Sequence, residues 1–485
     1  MTPDSSGQSK ESPYPSTVVD ERGETFQLED EPLGKGGQGV VIRSRNNPEV
    51  VVKFAALKDE SPRAVRKRLR RHLEDVRLLP LEGLHIASPM EMLRGEEVVG
   101  YTMRLLRDMV PISELIATSG EKELVEFYLK GGGLRRRLRL LEKAAALLAR
   151  LHATPLVYGD ISAENIFVSE PVEANEVWFI DSDNLSYTNE VSRSIYTPMF
   201  GAPEVVRAES GISTLSDVYS FAILAFWVLV QSHPFMGEAI ESGGWDATST
   251  GSTDKEDEAL EGRLPYIDDP DDHTNAGTEG FSKALQLVLS RSLRDLFRQM
   301  FTEGRINRLA RPKAAEFADA FRRAADMTVS CTECTSTFLV TAGSCPWCEA
   351  ENSAPDVVFV QACRWDPRLD DKSWEELFQS DVVYGKVIET SEPSTLGRHV
   401  VAAAPARRDN DPEIKVECSK DGVELERVSD REFWLVTDSD SQPVRLTGKK
   451  ILPMPREDRR WHLHCGPLDE PHRLLSFQFF AGGQR

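Results

Sequence analysis

Residues 158–168 read YGDISAENIFV, and residues 177–181 read VWFID. Asp160 precedes Asn165 by five positions, and an apolar strand then ends in Asp181. This order allows two oxygen ligands and one base to surround a single phosphoryl group. The pattern Asp-x-x-x-x-Asn alone is common in loops, where it more often reflects turn chemistry. Its interpretation therefore depends on the motifs around it.

A glycine-rich stretch and a lysine lie upstream. Residues 33–41 read LGKGGQGVV, and the apolar run 50–54, VVVKF, contains Lys53. Glycine lets backbone N–H groups approach phosphates without obstruction by a Cβ atom. A lysine in an otherwise apolar strand needs an anionic partner, because burial of an unpaired charge is costly. The candidate nucleotide-binding residues here are Gly34, Gly36, Gly37, Gly39, Val41 and Lys53.

Three further motifs follow Asp181. Residues 202–204 read APE, Asp217 precedes the apolar stretch 221–230, and Arg311 lies in the sequence NRLARP. Each motif is weak when taken alone, and Asp217 by itself would be an ordinary residue at a helix N-terminus. The order of all the motifs along the chain makes chance agreement negligible.

This order resembles the protein kinases, and residues 22–327 are identified as a member of the eukaryotic-like protein kinase superfamily. The resemblance implies a two-lobed α+β fold that transfers the γ-phosphate of ATP to protein serine or threonine hydroxyls. It implies that Asp160 is the catalytic base and that Asn165 and Asp181 bind both the nucleotide and its Mg²⁺. It also implies that Asp217 caps the catalytic loop and that Arg311 pairs with Glu204.

Gly159 before the catalytic Asp160, and the Asp181-x-Asp183 pattern, are most similar to a set of bacterial kinases. These kinases are associated with tellurite-resistance-type phosphorylation systems. The resemblance implies a metal-dependent protein phosphatase and a von Willebrand A protein as partners, besides protein substrates.

Several positions differ from the kinase pattern. Tyr158 and Gly159 replace His-Arg, Ser162 replaces a lysine, and Ser182 with Asp183 replaces Phe-Gly. Asp183 is either a spare metal ligand or, as we favour, a turn residue. Because Gly159 replaces the usual arginine, we expect activity without phosphorylation of the activation segment, in which Ser192, Ser194 and Thr197 are the candidate phosphorylation sites. Because these residues of the kinase pattern are missing, the alternative is a nucleotide-binding pseudokinase that scaffolds partners. The APE motif disfavours a small-molecule kinase.

Residues 62–79 predict a helix with apolar residues at positions 65, 69, 73 and 76. Glu74 is its only glutamate, so we assign it to the catalytic set as the ion-pair partner of Lys53. The alternative is a surface pair with Arg70 one helical turn away. Residues 134–139, LRRRLR, begin a second helix that runs to His152. This basic turn is expected to be a solvated face, with attraction of an acidic substrate segment as the alternative.

All seven cysteines follow residue 330. Two CxxC pairs separated by ten residues predict a structural zinc site with four thiolate ligands, rather than disulfides or a redox motif. These ligands are Cys331, Cys334, Cys345 and Cys348. The other three, Cys363, Cys418 and Cys465, are expected to be buried thiols.

Short alternating stretches after residue 355 predict a small β-sandwich or barrel that serves as an interaction module. We predict strands at residues 414–418, 420–423, 432–436, 443–448, 461–465 and 474–480. His462 and His464 share a strand face, and we favour a surface pair over a metal site.

A chain of 485 residues is too long for one hydrophobic core and predicts about three domains. The net charge of −21 disfavours nonspecific binding to nucleic acid or anionic lipid. The apolar runs are too short to span a bilayer, so a soluble, cytoplasmic protein is expected. The expected division is a disordered tail (1–21), a kinase domain (22–327) with an exposed acidic insert (237–280), a zinc ribbon (328–352) and a β-rich domain (355–485).

Overall fold

In the computed structural model, the glycine-rich stretch and Lys53 lie on adjacent strands of a five-stranded antiparallel sheet. The structure describes residues 14–37, 39–57, 62–95, 98–117, 124–188, 196–241, 253–277, 281–368, 374–403, 411–419, 422–437, 440–456 and 460–482. The N-terminal lobe comprises β1 (Thr17–Val19), β2 (Thr25–Gln27), β3 (Gly34–Gly36), β4 (Gly39–Arg43), β5 (Val50–Ala55), α1 (Arg63–Arg77), β6 (Glu91–Met92) and β7 (Gly100–Arg104).

The strand order β3-β4-β5-β7-β6 places Val41, Lys53 and Tyr101 side by side across the sheet. Successive side chains of a strand point to opposite faces. Val52 packs in the apolar cluster on one face, so Lys53 faces the other, where Leu73 of α1 and Tyr101 are buried. The pleat therefore directs the lysine toward the cleft below the sheet.

The C-terminal lobe is mainly helical and confirms the α+β class of this region. Its elements are β8 (Met109–Pro111), α2 (Leu124–Lys130), α3 (Gly133–His152), β9 (Leu156–Val157), β10 (Ile166–Ser169), β11 (Val177–Phe179), β12 (Ser186–Tyr187), α4 (Pro203–Val206), α5 (Thr214–Val230), α6 (Glu238–Glu241), α7 (Thr253–Leu260), α8 (Phe281–Val288), α9 (Arg291–Phe301), α10 (Glu303–Ile306) and α11 (Ala314–Asp326). Ser213 and Ser216 form a capping box that fixes the start of α5, and α5 is buried along most of its length.

The expectation of an exposed insert is wrong for part of the described segment after α7, whereas residues 270–274 of that segment are exposed. Tyr266 and Ile267 are buried in the main core of the C-terminal lobe. Asn275 is also buried, and its side-chain amide donates to the carbonyls of Phe235 and Pro265. These anchors hold the segment on the lobe although its composition is acidic. Residues 242–252 and 278–280 lie outside the described residues.

A short hairpin, β13 (Thr328–Ser330) and β14 (Thr337–Leu339), follows α11 directly. The β-rich region comes next, as predicted, with β15 (Val357–Trp365), α12 (Trp374–Ser380), β16 (Val382–Glu389), β17 (Ser394–Gly397), α13 (Arg398–Val401), β18 (Pro412–Ser419), β19 (Gly422–Arg427), β20 (Trp434–Thr437), β21 (Asp440–Arg445), β22 (Lys449–Leu452), β23 (Trp461–His464) and β24 (His472–Phe480). Its sheets have the orders β16-β15-β24-β23-β20-β21 and β17-β18-β19-β22. Both sheets contribute to one apolar core, which makes this region a sandwich.

The prediction of a surface pair at His462 and His464 is wrong, because β23 lies inside the six-stranded sheet and both rings are buried. Phe378 stacks on His462, and the Trp365 ring meets His464 edge-on. Of the three cysteines outside the paired motifs, Cys363 and Cys465 are buried as predicted, and Cys418 is half-buried. In the described part of the chain, no helix is both long enough and apolar enough to cross a membrane.

Candidate active site

Lys53 is almost fully buried, at 5% exposure, and its ammonium contacts two carboxylates. The Nζ atom lies 2.6 Å from Asp181 Oδ1 and 2.7 Å from Asp183 Oδ2. Burial alone would lower the pKa of Lys53, but the charges of Asp183 and Asp181 outweigh it and raise the pKa above its ordinary value. The lysine therefore stays charged and can attract an anion into the cleft.

Asp183 occupies the position beside Lys53 that we predicted for Glu74. Its carboxylate also accepts a hydrogen bond of 2.6 Å from the Tyr101 hydroxyl, and its backbone carbonyl lies 2.6 Å from His72 Nε2 of α1. Residues Ser182–Asn184 form one 3-10 turn, so Asp183 is a turn residue, as favoured, that also holds the lysine.

The structure does not bring Glu74 to Lys53. Glu74 lies on a partly exposed side of α1 and pairs with Arg70 at 3.3 Å, which is the alternative that the sequence left open. The reason is helical geometry: Leu73 and Val76 are the residues of α1 that are buried, so Glu74 falls on a different side of the helix.

The glycine-rich stretch leaves open space beside β3 and β4. A Cβ atom added at Gly34, Gly36 or Gly37 would meet no other atom within 4 Å, so this backbone has room for phosphate groups. Gly39 is glycine for a different reason. A Cβ atom there would lie 2.1 Å from the Phe54 carbonyl oxygen, so only glycine permits this pairing of β4 with β5.

Asp160 is buried, and the side chains of Asn165 and Thr197 donate hydrogen bonds to its carboxylate. Asn165 Nδ2 lies 3.1 Å from Oδ2 and also donates to the Asp160 carbonyl at 2.9 Å. The Thr197 hydroxyl donates to Oδ1 at 2.6 Å. Asp160 and Asn165 are thus brought together as predicted, and Thr197 connects the activation segment to them.

Asp217 holds the catalytic loop from inside the lobe. Its two carboxylate oxygens accept the backbone N–H groups of Tyr158 at 2.7 Å and Gly159 at 2.9 Å, and His152 lies 3.1 Å away. Gly159 has φ +85°, and a Cβ atom there would approach Ile212 to 2.7 Å. The backbone therefore favours glycine where the kinase pattern carries arginine, and the capping role implied for Asp217 is present in the geometry.

The oxygens expected to bind Mg²⁺ fit that role. Asn165 uses its amide nitrogen for both bonds to Asp160, and Asp181 uses Oδ1 for Lys53. Among the described residues, nothing hydrogen-bonds to Asn165 Oδ1 or Asp181 Oδ2, so both remain available to a hard cation. Burial and the nearby Asp183 charge raise the pKa of Asp181 against the lowering effect of Lys53. A bound cation would favour the ionised carboxylate.

Glu204 and Arg311 form a bidentate ion pair, with distances of 2.8 Å and 2.7 Å, as the resemblance implied. Burial alone would raise the pKa of Glu204, but the hydrogen bonds and charge of Arg311 lower it below its ordinary value. Arg311 also donates to the Leu215 carbonyl at 3.1 Å and lies over the Tyr219 ring. This pair fixes the end of the activation segment against α5.

The four predicted zinc ligands lie together next to the hairpin. The Sγ atoms of Cys331, Cys334, Cys345 and Cys348 are all within 4.8 Å of one another. The Cys331–Cys348 and Cys334–Cys345 sulfur distances are 3.6 Å and 3.7 Å. Tetrahedral zinc with Zn–S bonds of ~2.3 Å separates its sulfurs by about 3.8 Å, so the cluster fits that metal.

Comparison with known proteins agrees with this geometry. The protein kinase domain family matches residues 28–318. This chain belongs to the protein kinase family. The β-rich region beyond residue 355 lies outside that match.

Three curated kinases match parts of the chain. They are serine/threonine-protein kinase pkn2 of Myxococcus xanthus, 29% identical over 110 residues (21% of this chain, 13% of that protein); probable serine/threonine-protein kinase 2 of Plasmodium falciparum, 26% over 132 residues (24% and 26%); and human receptor-interacting serine/threonine-protein kinase 4, 27% over 173 residues (32% and 21%). The matches thus cover no more than 26% of the length of these relatives.

Sequence reasoning missed two contacts of this kinase site. Tyr101 lies opposite Lys53 on β7, and its burial beside Asp183 raises its pKa well above the ordinary value. An alternating apolar strand signals that Tyr101 is buried, but not which carboxylate it meets. Thr197 was noted as a phosphorylation candidate, whereas its hydroxyl is bonded to Asp160. Ser192 and Ser194 lie outside the described residues.

Proposed function

We propose that this chain is an ATP-dependent serine/threonine protein kinase that transfers the γ-phosphate of Mg-ATP to protein hydroxyls. The observation that carries the proposal is the Asp160–Asn165 hydrogen bond at 3.1 Å in a loop capped by Asp217. The names of the three matched kinases support serine and threonine as acceptors.

Each residue has a distinct role in this proposal. The open glycine backbone and the charged Lys53 bind the phosphates, and Asp160 orients the acceptor hydroxyl and accepts its proton. Asn165 and Asp181 would hold Mg²⁺, which would neutralise charge on the phosphates. Asp183 contacts Lys53 independently of Asp181, so it would keep that side chain in place with a cation bound. Ser162 is buried and adds no positive charge, so we expect a modest rate.

The test is transfer of labelled phosphate from ATP to the chain itself or to a generic protein acceptor. Asp160→Asn should abolish transfer while leaving nucleotide binding nearly unchanged, because Asp160 contacts the acceptor rather than ATP. Asp181→Asn should remove the Mg²⁺ dependence of binding. If wild-type protein transfers no phosphate to any acceptor, the kinase proposal is wrong.

A nucleotide-binding pseudokinase is the second candidate, because two carboxylates engage Lys53 and the usual Phe-Gly is absent. Such a protein would gain thermal stability with Mg-ATP yet transfer no phosphate. Phosphate transfer, measured on the same sample that is stabilised by Mg-ATP, therefore distinguishes the kinase from the pseudokinase.

The remaining expectations belong to the same proposal. The sulfur geometry supports a structural zinc ribbon over residues 328–352, between a kinase domain (22–327) and an interaction domain (355–485). The free cysteines support a cytoplasmic location. A tellurite-resistance-type phosphorylation system, with a metal-dependent phosphatase and a von Willebrand A protein as partners, is supported only by the Gly159 and Asp183 resemblance. Co-purification from native cells would test it.

A further inference from the structure

A cavity of about 480 Å³ lies where α3, the hairpin and the sandwich meet. Arg135, Arg136 and Lys143 line it from α3, Thr337 lines it from β14, and Lys386 lines it from β16. None of the candidate catalytic or magnesium-binding residues lines this cavity. Its volume falls in the range of about 300–1,000 Å³ that is typical of small-molecule sites.

The lining is basic, although the chain as a whole carries a net charge of −21. Arg135, Arg136, Arg139, Lys143 and Lys386 contribute cations, and Glu142 contributes the carboxylate among the described lining residues. Glu142 is already paired with Arg139 at 2.9 Å and with Arg322 at 2.8 Å.

Two carboxylates outside the lining are also engaged. Asp326 lies 2.6 Å from Arg139 and 3.3 Å from Lys386, and Glu389 lies 2.6 Å from Arg135. Neither pairs with Arg136 or Lys143. These contacts leave an excess of positive charge around the cavity.

Arg136 is the decisive residue, because its side chain is buried at 7% exposure without a direct ion pair among the described residues. Burial lowers the pKa of Arg136, and the charge of Glu173 only partly opposes that lowering. Its guanidinium donates to the carbonyls of Gly131 and Ser169, and its Nε atom has no hydrogen-bond partner among the described residues. In the described chain, no carboxylate forms an ion pair with Arg136. Removing an unpaired cation from water is costly, so this position indicates a site for an anion.

Two further features point to the chemistry of that anion. α3 begins at Gly133, the Thr337 hydroxyl accepts the backbone N–H of Arg135 in its first turn at 3.0 Å, and the N-terminus of a helix favours phosphate groups. Asn175 also lines the cavity, and its Oδ1 atom is a buried acceptor to which no group in the described part of the chain donates. A ligand that carries both phosphate and hydroxyl groups would satisfy Arg136 and Asn175 together.

We propose that this cavity binds a small organic phosphate, an ester with at least two negative charges and free hydroxyl groups. Four parts of the chain bound the cavity, namely α3, the β10–β11 loop, the hairpin and the sandwich. Its volume suits a small molecule better than a segment of an acidic protein. The proposal does not rest on catalysis, because binding requires neither ATP nor phosphoryl transfer.

Isothermal titration calorimetry on the full chain, without added Mg²⁺, tests the proposal with ribose 5-phosphate as the probe and ribose as its neutral control. We expect saturable binding of ribose 5-phosphate and none of ribose. Lys143→Glu should weaken binding by about tenfold or more, because it replaces a charge-assisted contact by repulsion. Lys143 is exposed, so this change does not threaten folding.

Lys415→Glu is the matched control, since Lys415 is exposed on β18 and does not line the cavity. It should leave the affinity unchanged. Equal effects of the two variants, or no binding of ribose 5-phosphate at all, would overturn the proposal. So would a phosphorylated peptide that binds in a Lys143-dependent manner while ribose 5-phosphate does not, because the site would then belong to a protein partner.

Discussion

Asp183 is the residue that most changes the interpretation of the kinase motifs. It follows the candidate magnesium ligand by two positions and reaches the same lysine as Asp181. A turn of three residues makes this possible, because it directs both carboxylates back toward β5. The carboxylates that hold Lys53 therefore both follow β11 directly, whereas α1 contributes a histidine contact to the Asp183 backbone.

We predict that Asp183→Asn lowers the rate of phosphate transfer by about tenfold or more, since it removes a charge-assisted contact worth about 1.5–3 kcal/mol. Asparagine keeps the shape of the side chain and can still accept from Tyr101. The initial rate at saturating Mg-ATP is the quantity to measure.

Glu74→Gln is the matched control for this change, because Glu74 pairs with Arg70 on a partly exposed side of α1. Its transfer rate should stay close to that of the wild type. A larger loss in Glu74→Gln than in Asp183→Asn would show that α1 moves to bring Glu74 to Lys53 during catalysis.

The Thr197 hydroxyl gives a second prediction at the scale of single residues. Thr197→Ala should reduce transfer by about tenfold, because it removes a hydrogen bond to the Asp160 carboxyl group. Thr197→Ser keeps the hydroxyl and should retain most of the rate. Equal rates for the alanine and serine variants would show that this contact does not position the base.

At the scale of helices and strands, α3 connects parts of the molecule that lie far apart in the sequence. Its first turns carry Arg135, which donates to the Thr328 side chain and to Glu389, and its last turn places His152 against Asp217. The basic turn at residues 134–139 was expected to be solvated, and that expectation is wrong. Arg136 and Arg137 are buried, and Arg135 and Arg139 hold the hairpin and α11.

The hairpin and its cysteines give a prediction at this scale. Purified protein should contain one zinc per chain by elemental analysis, and Cys348→Ser should lose it. Cys348 is exposed, so loss of metal rather than loss of packing would explain any loosening of residues 328–352. Such loosening is measured by hydrogen exchange.

Cys418→Ser is the control for zinc loss, because Cys418 lies outside the four-sulfur cluster. It should keep the full zinc content. Phosphate transfer should persist in Cys348→Ser, since the nucleotide-binding residues lie elsewhere. Less than about half a zinc per wild-type chain would contradict the assignment.

At the scale of the whole molecule, Asp326 at the end of α11 joins the kinase domain to the sandwich. It is buried and contacts Arg139, Lys386, Tyr384 and His399. Burial alone would raise the pKa of Asp326, but the charges and hydrogen bonds of Lys386, His399 and Arg139 lower it far below its ordinary value. The sandwich is thus attached through a buried polar network.

We predict that Asp326→Asn lowers the free energy of unfolding at pH 7 by about 3–5 kcal/mol, because it leaves buried cations without their carboxylate. The native pKa lies below the unfolded one, so the stabilising contribution is complete above the ordinary pKa and is lost as the pH falls through the native pKa. The difference in the free energy of unfolding between wild type and variant should therefore become smaller only below about pH 4.

Denaturant titration between pH 7 and pH 3.5 measures this gap. Asp319→Asn is the control, because Asp319 lies on the same helix and pairs with Arg323 at a half-exposed position. Its effect should be within about 0.5 kcal/mol, as is usual for surface substitutions. A gap that widens at acid pH would show that Asp326 is protonated in the folded protein.

Most of the candidate kinase site could be predicted from the sequence alone. Asp160, Asn165, Asp181, Lys53 and the glycines belong to motifs in which residue type and spacing follow from the chemistry of phosphoryl transfer. The four cysteines were predictable for the same reason, because metal geometry restricts their spacing. Each of these motifs lies within a short stretch of sequence, so it can be recognised without knowledge of the fold.

Only the tertiary structure decided which groups meet across long distances in the chain. Glu74 and Asp183 were both available to Lys53, and the side of α1 that packs on the sheet determined the choice. The sequence predicted exposed side chains at Arg136 and His462, because charge and alternation describe only a single helix or strand. Burial depends on the other elements that pack against that helix or strand. The sequence determined the chemical groups of this protein, and long-range packing decided their partners.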